Sequence, residues 1–250
     1  MGIPMLAIDL IDPACAPRAK RLAEHLGAPV VTGGAADEGA LLLRVDARGL
    51  SLAGEGMELR PDFADRMARL KPANLGRELL VRAVRVKGVP APHVVDATAG
   101  LGDDALLLAA AGCRVTMFER DPVIAALLDD ALGRAREDPR LAGIAARMEL
   151  AEGDSVTGLR SLAEPPDVVY LDPMFPGRTK SAAVKKKFQL LHRLERPCGD
   201  EGALMDAARA ARPRKIVVKR PAKGPYLAGV KPSHSLAGKA VRFDCIACPR

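Results

Sequence analysis

The chain of 250 residues is 48% hydrophobic and 28% charged, so it can bury the core of one catalytic domain with a smaller appendage. Its net charge of +7 favours a polyanionic partner, and aromatic residues, at 3%, leave few rings for stacking on bases. Five scattered cysteines, no bilayer-length apolar run and no signal-peptide layout in residues 1–10 predict a cytoplasmic protein without a membrane partner.

Residues 1–60 predict a small α+β N-terminal lobe. Segments 6–10 and 41–45 are apolar runs of strand length, and segment 17–26 has the spacing of an amphipathic helix. Paired glycines at 33–34 and a Gly-Glu-Gly turn at 54–56 separate these elements from the rest of the lobe.

A basic connector is expected over residues 61–92. The spacing predicts a helix over 62–86, interrupted around Pro72, and the segment carries a series of arginines and lysines. Such a series lies either in solvent or against RNA, and the sequence leaves both interpretations open.

Residues 93–250 alternate short apolar runs with helical stretches, which predicts a doubly wound, mostly parallel α/β sheet. Strands are expected at 93–96, 114–119, 148–151, 167–172, 216–219 and 241–247, and helices at 103–111 and 122–136. Ligands in such sheets bind beyond the carboxyl ends of the strands, so the residues just after each strand are the candidates for function.

A glycine turn follows the first of these strands. Gly100 and Gly102 permit a tight turn and a close approach of a ligand at a helix start. Their spacing also fits dinucleotide binding, but a pyrophosphate there would be repelled by Asp103 and Asp104. S-adenosylmethionine has no phosphate and carries a sulfonium, so it suits these carboxylates and Asp96. The same aspartates also favour the helix dipole, and one of them can serve only in that way.

The next two strands end in residues suited to a nucleoside. Glu119 can accept both ribose hydroxyls, a contact shared by NAD enzymes and methyltransferases. Asp154 and Ser155 occupy the position where methyltransferases commonly accept the adenine amino group, although the pair alone would be an ordinary turn.

The fourth strand ends in Asp172-Pro173-Met-Phe175-Pro, the candidate catalytic loop. Its prolines stiffen the chain, so the Asp172 carboxylate and the Pro173 carbonyl can hold the two N–H groups of an aromatic amine. Phe175 offers a face on which the base can stack. Otherwise the segment is a proline-rich turn with Phe175 in the core.

Cations follow this loop and the fifth strand at the same edge of the sheet. They predict a clamp for RNA phosphates, formed by Arg178, Lys180, Lys185, Lys186, Lys219 and Arg220. Cys245 and Cys248 are either half of a zinc site with His234 or, as we expect, two semi-buried thiols on the terminal strand. No metal is therefore predicted.

Several of these segments together resemble one family, the bacterial small-subunit (16S) ribosomal RNA guanine-N2-methyltransferases of the RsmJ type. The matching stretches are 94–102, 112–115 with 119–120, 122–130, 168–176, 180–186 and 217–221. The resemblance spans roughly residues 93–245, and its specific part is Tyr-Leu-Asp-Pro-Met-Phe-Pro with the Lys-Ser-Ala stretch after it.

The resemblance implies a class I methyltransferase (Rossmann-like) fold, S-adenosylmethionine as cofactor, and transfer to N2 of one guanosine near the 3′ end of the RNA, naked or in an assembling small subunit. It places cofactor contacts at Asp103-Asp104, Glu119-Arg120, Asp154-Ser155 and Asp172. The family usually has Arg-Asp in place of the first pair and Ser-Ser in place of the third. Two alternatives stay open: methylation of another amine, such as adenine N6 or a protein glutamine, and a non-catalytic nucleotide-binding module.

Overall fold

The structure is a computed structural model that describes residues 5–34, 39–173, 189–194 and 199–249. Within these ranges the strands form a five-stranded and a seven-stranded sheet. The strands of the smaller sheet are β1 Leu6–Leu10, β2 Val30–Thr32, β3 Leu41–Asp46, β4 Gly49–Gly54 and β5 Met57–Leu59. Their order is β2-β1-β3-β4-β5, with β1 parallel to both neighbours and β3 to β5 antiparallel.

The smaller sheet confirms the two strands and the helix predicted for the start of the chain. Helix α1, Ala16–Leu26, connects β1 to β2 and ends at Gly27, whose left-handed φ of 62° suits a residue without a side chain. Strand β3 alternates buried and half-buried residues, as a strand with one face on the core does.

The connector contains shorter pieces than predicted. A 3-10 helix at Phe63–Arg66 is followed by α2, Pro72–Leu75, and α3, Leu79–Val84, so the continuous helix expected on either side of Pro72 was wrong. Lys71 is extended (ψ 137°) because a residue before proline is pushed out of the helical region, and Glu78 (ψ 124°) separates α2 from α3.

The larger sheet has the order β11-β12-β10-β9-β6-β7-β8. Its strands are β6 His93–Asp96, β7 Arg114–Glu119, β8 Met148–Glu152, β9 Val168–Leu171, β10 Lys215–Pro221, β11 His234–Ala237 and β12 Val241–Ala247. Strands β6 to β10 pair in parallel, and β12 is antiparallel to β10 and β11.

Helices cover both faces of this sheet, which confirms the doubly wound fold. They are α4 Asp103–Ala110, α5 Pro122–Glu137, α6 Ala142–Ala145, α7 Ser155–Arg160 and α8 Glu201–Ala210, with a 3-10 turn at Leu227–Gly229. One apolar cluster joins a sheet face to α3, α4 and α5, and a second joins the other face to α7 and α8. All four residues of β9 are buried, as expected for a central parallel strand.

Helix α5 packs against both sheets. Leu128 and Leu132 belong to the cluster under the larger sheet, whereas Ile124 and Leu127 belong to the cluster under the smaller one. The helix therefore joins the two sheets through adjacent stripes of its surface.

The thiols of Cys245, in β12, and of Cys248, just after β12, lie on different faces of the sheet. Cys245 is buried in the cluster shared with α4, whereas Cys248 packs against the cluster shared with α7 and α8. Among the described residues, no helix is long and apolar enough to cross a membrane.

Candidate active site

A cavity of about 590 Å³ opens at the carboxyl ends of β6, β7, β8 and β9. The strand order reverses between β6 and β9, so the cavity lies at the topological switch point where doubly wound sheets bind ligands. Its volume lies within the range for small-molecule and cofactor sites. Of the predicted site residues, it is lined by Gly100, Glu119, Arg120, Asp154, Ser155, Asp172 and Pro173.

The charged side chains that line this cavity are predominantly acidic. Five carboxylates line the cavity, those of Glu119, Asp121, Asp154, Asp172 and Asp200. Arg120 is the one lysine or arginine among the described lining residues. Such a cavity suits a cationic ligand and disfavours a pyrophosphate.

Three of the five carboxylates are helix N-caps. Asp121 accepts two backbone N–H groups from the first turn of α5, at 2.9 and 3.1 Å. Asp154 accepts one from α7 at 3.0 Å, and Asp200 accepts one from α8 at 2.8 Å. The protein's own carboxylates thus occupy helix starts that would otherwise be ready sites for a phosphate.

Glu119 fixes the glycine turn. Its Oε2 accepts the backbone N–H of Gly100 at 2.9 Å and its Oε1 accepts that of Asp121 at 2.8 Å. Burial raises the pKa of Glu119 above its usual value. Because a carboxylate oxygen has two lone-pair sites, each oxygen can accept one further hydrogen bond, which matches the two hydroxyls of a ribose.

The backbone of two glycines faces open space beside Glu119. Gly100 has a φ of 54° and Gly153 one of 141°, and a Cβ on either would meet no atom within 4 Å. Both residues line the cavity. A nucleoside can therefore approach the main chain closely at these points.

Gly102 and Asp103 are placed outside the cavity lining. A Cβ on Gly102 would lie 2.7 Å from Leu128, so this glycine allows close packing of the turn on α5. The Asp103 carboxylate forms a two-bond ion pair with Arg66, Nε to Oδ1 at 2.8 Å and Nη2 to Oδ2 at 2.9 Å. The cofactor contacts predicted for Gly102 and Asp103 stay predictions.

A half-buried ionic cluster includes Asp172, the first residue of the candidate catalytic loop. Lys219 Nζ lies 2.8 Å from Asp172 Oδ2 and 2.7 Å from Asp104 Oδ2. The Tyr170 hydroxyl donates to Asp104 Oδ2 at 2.7 Å, and the Asp172 backbone N–H donates to Thr98 Oγ1 at 2.7 Å. The orientation of Asp172 is therefore set from two sides, by Lys219 and by Thr98.

Charges within the cluster shift its pKa values. Burial lowers the pKa of Lys219, but Asp104 and Asp172 outweigh this, so the net shift is upward. Asp104 is charged in turn, because Lys219 and the Tyr170 hydrogen bond lower its pKa against the effect of burial. The charges argued from sequence to repel a pyrophosphate are thus engaged elsewhere, Asp103 by Arg66 and Asp104 by Lys219.

Asp96 lies behind the glycine turn and is fully buried. Burial, helped by the neighbouring carboxylates of Asp104 and Asp172, raises its pKa from 3.8 to about 8 against the opposing effect of a hydrogen bond from the Thr98 backbone. Asp96 is not among the residues that line the cavity, and its predicted cofactor contact stays a prediction, as does that of Asp104.

Two of the predicted RNA contacts have other partners. The Lys219 ammonium lies between two carboxylates. Arg220 is fully buried, its Nε donates to the Pro225 carbonyl at 2.6 Å, and its Nη1 lies 3.5 Å from Glu201 Oε1. Neither residue presents its charge to a phosphate in this structure. Phe175, Arg178, Lys180, Lys185 and Lys186 lie outside the described residues.

Sequence reasoning missed four residues of the site. Asp121 and Asp200 each precede a helix, so the ordinary N-cap signal could have identified them. Thr98 and Tyr170 carry no such signal, because their partners Asp172 and Asp104 are 74 and 66 positions away. Among the described residues, no group of three His, Cys, Asp or Glu side chains converges as a metal site would require.

Known proteins match this chain in sequence and in fold. The family model described as "Putative SAM-dependent methyltransferase" matches residues 34–247. A crystal structure of a SAM-dependent methyltransferase from Neisseria gonorrhoeae superposes with a TM-score of 0.76 at 33% identity, covering 97% of this chain and 96% of the other. The chain is therefore an S-adenosylmethionine-dependent methyltransferase of the class I fold.

Curated relatives specify the family. A protein of Pseudomonas aeruginosa named ribosomal RNA small subunit methyltransferase J is 44% identical, over 96% of this chain and 94% of its own length. Its namesake in Thioalkalivibrio sulfidiphilus is 45% identical over 91% of each chain. The chain belongs to the ribosomal RNA small subunit methyltransferase J family, as the resemblance implied.

Proposed function

We propose that the protein methylates N2 of one specific guanosine near the 3′ end of 16S ribosomal RNA. The observation that carries the proposal is the position of Asp172. It follows β9 directly, lines the same cavity as Glu119, and is held by Lys219 and Thr98 at the point where an acceptor base would enter. The curated relatives are named as methyltransferases of small-subunit ribosomal RNA, which supports an RNA substrate.

The residues present fit S-adenosylmethionine. Glu119 would accept the ribose hydroxyls, Asp154 and Ser155 would contact the adenine, and the open backbone at Gly100 would lie against the nucleoside. The acidic lining suits the cofactor's positive charges. When bound, the cofactor supplies an electrophilic methyl group.

Asp172 and Pro173 would position the guanine amine. The lone pair of an aromatic amine is delocalised into the ring, so both N–H groups must be held for it to face the methyl group. The Asp172 carboxylate can accept one N–H, and the carbonyl of buried Pro173 can accept the other. A base in structured RNA has to be unstacked before it reaches this cavity.

Transfer of label into RNA tests the proposal. Protein and tritiated S-adenosylmethionine are incubated with 16S rRNA and with small subunits from a strain lacking the enzyme, and the nucleosides are identified by mass spectrometry. N2-methylguanosine is expected, and Asp172→Ala should lower kcat by about 10²- to 10³-fold. Asp129→Ala, on the exposed face of α5, is the control.

Other products would overturn the proposal in defined ways. N6-methyladenine or a methylated protein glutamine would assign a different acceptor to the same site. A folded, cofactor-binding protein that labels no RNA would exclude RNA methylation. Comparing the methylation of naked rRNA with that of small subunits identifies the natural substrate. We propose that the protein acts in the cytoplasm.

A further inference from the structure

The loop that follows β10 presents an aromatic ring to solvent. Tyr226 is 41% exposed, and the guanidinium carbon of Arg242 lies 5.1 Å from the centroid of its ring. A cation therefore covers one face of the ring while much of its surface remains accessible. The chain has two tyrosines and no tryptophan, so few rings are available for any contact with a base.

Two arginines hold this loop in place. Arg220, fully buried, donates from Nε to the Pro225 carbonyl at 2.6 Å. Arg242 donates from Nη1 to three carbonyls of residues 221–224 at 2.9 to 3.1 Å, and Asp244 anchors its Nε at 2.9 Å. The ring is thus preorganised, and a partner stacking on it loses little free energy in ordering the protein.

The loop begins and ends beside the active site. It starts after Lys219 and Arg220, and Lys219 contacts Asp172. It returns at Ala228, whose backbone N–H donates to Glu201 Oε2 at 2.9 Å, next to the cavity-lining Asp200. Tyr226 therefore lies at the edge of the sheet that carries the cavity.

Two exposed lysines lie in this loop and in the turn that is hydrogen-bonded to it. Lys223 is three positions before Tyr226 in the loop. Lys239 lies in the turn between β11 and β12, which receives a hydrogen bond from the loop, Ala222 N to Ala240 O at 3.1 Å. Both lysines are exposed, and in the described part of the chain neither side chain has a hydrogen bond or an ion pair. Their charges are free for an anionic partner.

We propose that Tyr226 stacks on an unpaired RNA base near the target guanosine while Lys223 and Lys239 contact the adjoining phosphates. An accessible ring in a loop that also carries exposed cations is a combination that single-stranded RNA recognition uses. The proposal rests on the proposed function, since it takes RNA as the substrate.

Steady-state methylation of small-subunit RNA tests the stacking contact. Tyr226→Ala should raise KM for RNA by about tenfold, while Tyr226→Phe, which keeps the ring, stays near the wild type. Lys223→Gln and Lys239→Gln should each reduce the slope of log affinity against log salt by about one. Lys20→Gln, exposed on α1, is the charge control. Calorimetry with S-adenosylhomocysteine should give the same affinity for all variants.

Equal KM values for Tyr226→Ala and Tyr226→Phe would overturn the stacking contact while leaving RNA methylation intact. If the wild type methylates no RNA, the proposed function fails. Anisotropy with a labelled single-stranded RNA then decides the stacking contact through the same pair of variants. Ultraviolet crosslinking of the wild-type protein to RNA tests the contact without any substitution. The crosslink is expected in the tryptic fragment 224–239, and its absence there would count against the contact.

Discussion

Lys219 Nζ lies 2.8 Å from Asp172 Oδ2, so the candidate acceptor carboxylate is paired with a lysine from the neighbouring strand. The same ammonium lies 2.7 Å from Asp104 at the start of α4. One cation thus connects β10, the end of β9 and the start of α4.

Lys219→Met should remove this connection and leave two carboxylates without their cation. The side chain is 19% exposed, and breaking a buried pair costs about 3 kcal/mol in the free energy of unfolding. We expect kcat to fall at least tenfold, because Asp172 loses its orientation. Urea unfolding and single-turnover methylation measure the two effects. Lys20→Met, on exposed α1, should change neither, and a Lys219→Met enzyme with normal turnover would refute the positioning role.

Glu119→Gln should weaken cofactor binding. The amide group would place a donor against the Gly100 or Asp121 backbone N–H and remove a charged acceptor. A hydrogen bond to a charged group contributes about 1.5 to 3 kcal/mol, so affinity for S-adenosylhomocysteine should fall about 10- to 100-fold by calorimetry. The matched control is Glu149→Gln, an exposed residue of β8. Unchanged affinity of the Glu119 variant would remove this residue from the cofactor site.

Asp96 should make stability depend on pH. Its pKa is raised from 3.8 to about 8 in the folded protein, so between these values the folded state binds more protons than the unfolded state. The free energy of unfolding therefore falls as pH rises through this range, by up to about 1.4 kcal/mol per pH unit.

Asp96→Asn tests this dependence because asparagine mimics the protonated carboxyl and keeps the oxygen that accepts from Thr98. Urea unfolding at pH 5, 6, 7 and 8 should show the variant gaining stability relative to the wild type as pH increases. A difference that stays constant across the series would mean that Asp96 is ionised in the folded protein.

Asp130 should stabilise the junction between the two sheets. Its side chain is 2% exposed and accepts from Arg18 at 2.5 Å, Arg134 at 3.0 Å and the backbone of Leu50 in β4 at 3.0 Å. Asp130→Ala leaves the Leu50 N–H and two partly exposed guanidinium groups without this acceptor, so the free energy of unfolding should drop by about 1 to 3 kcal/mol. Asp129→Ala, exposed on the same helix, should cost little. Equal losses for the two variants would contradict this assignment.

Local sequence patterns predicted the secondary-structure elements, because these depend on residues that are close together in the chain. The bounds of β6 and β7 follow from short apolar runs, and the Asp172 position follows from the strand before it. Lys219 and Asp104 are 115 positions apart, so no periodic pattern in the sequence could predict that they pair. The sequence alone suggested that Lys219 is a surface cation available to RNA. Its partial burial results from the packing of β10 against α4, which local sequence does not reveal.

The capping aspartates of α5, α7 and α8 bear on competition among metabolites. ATP and NAD share the adenosine moiety with the methyl donor, so contacts to ribose and adenine alone cannot distinguish them. A carboxylate already accepts the free N–H groups at each of these helix starts. A phosphate chain, which such a helix start would otherwise bind, is therefore repelled by a negative charge. Discrimination among adenosine compounds thereby becomes a property of the folded scaffold itself, present before any RNA arrives.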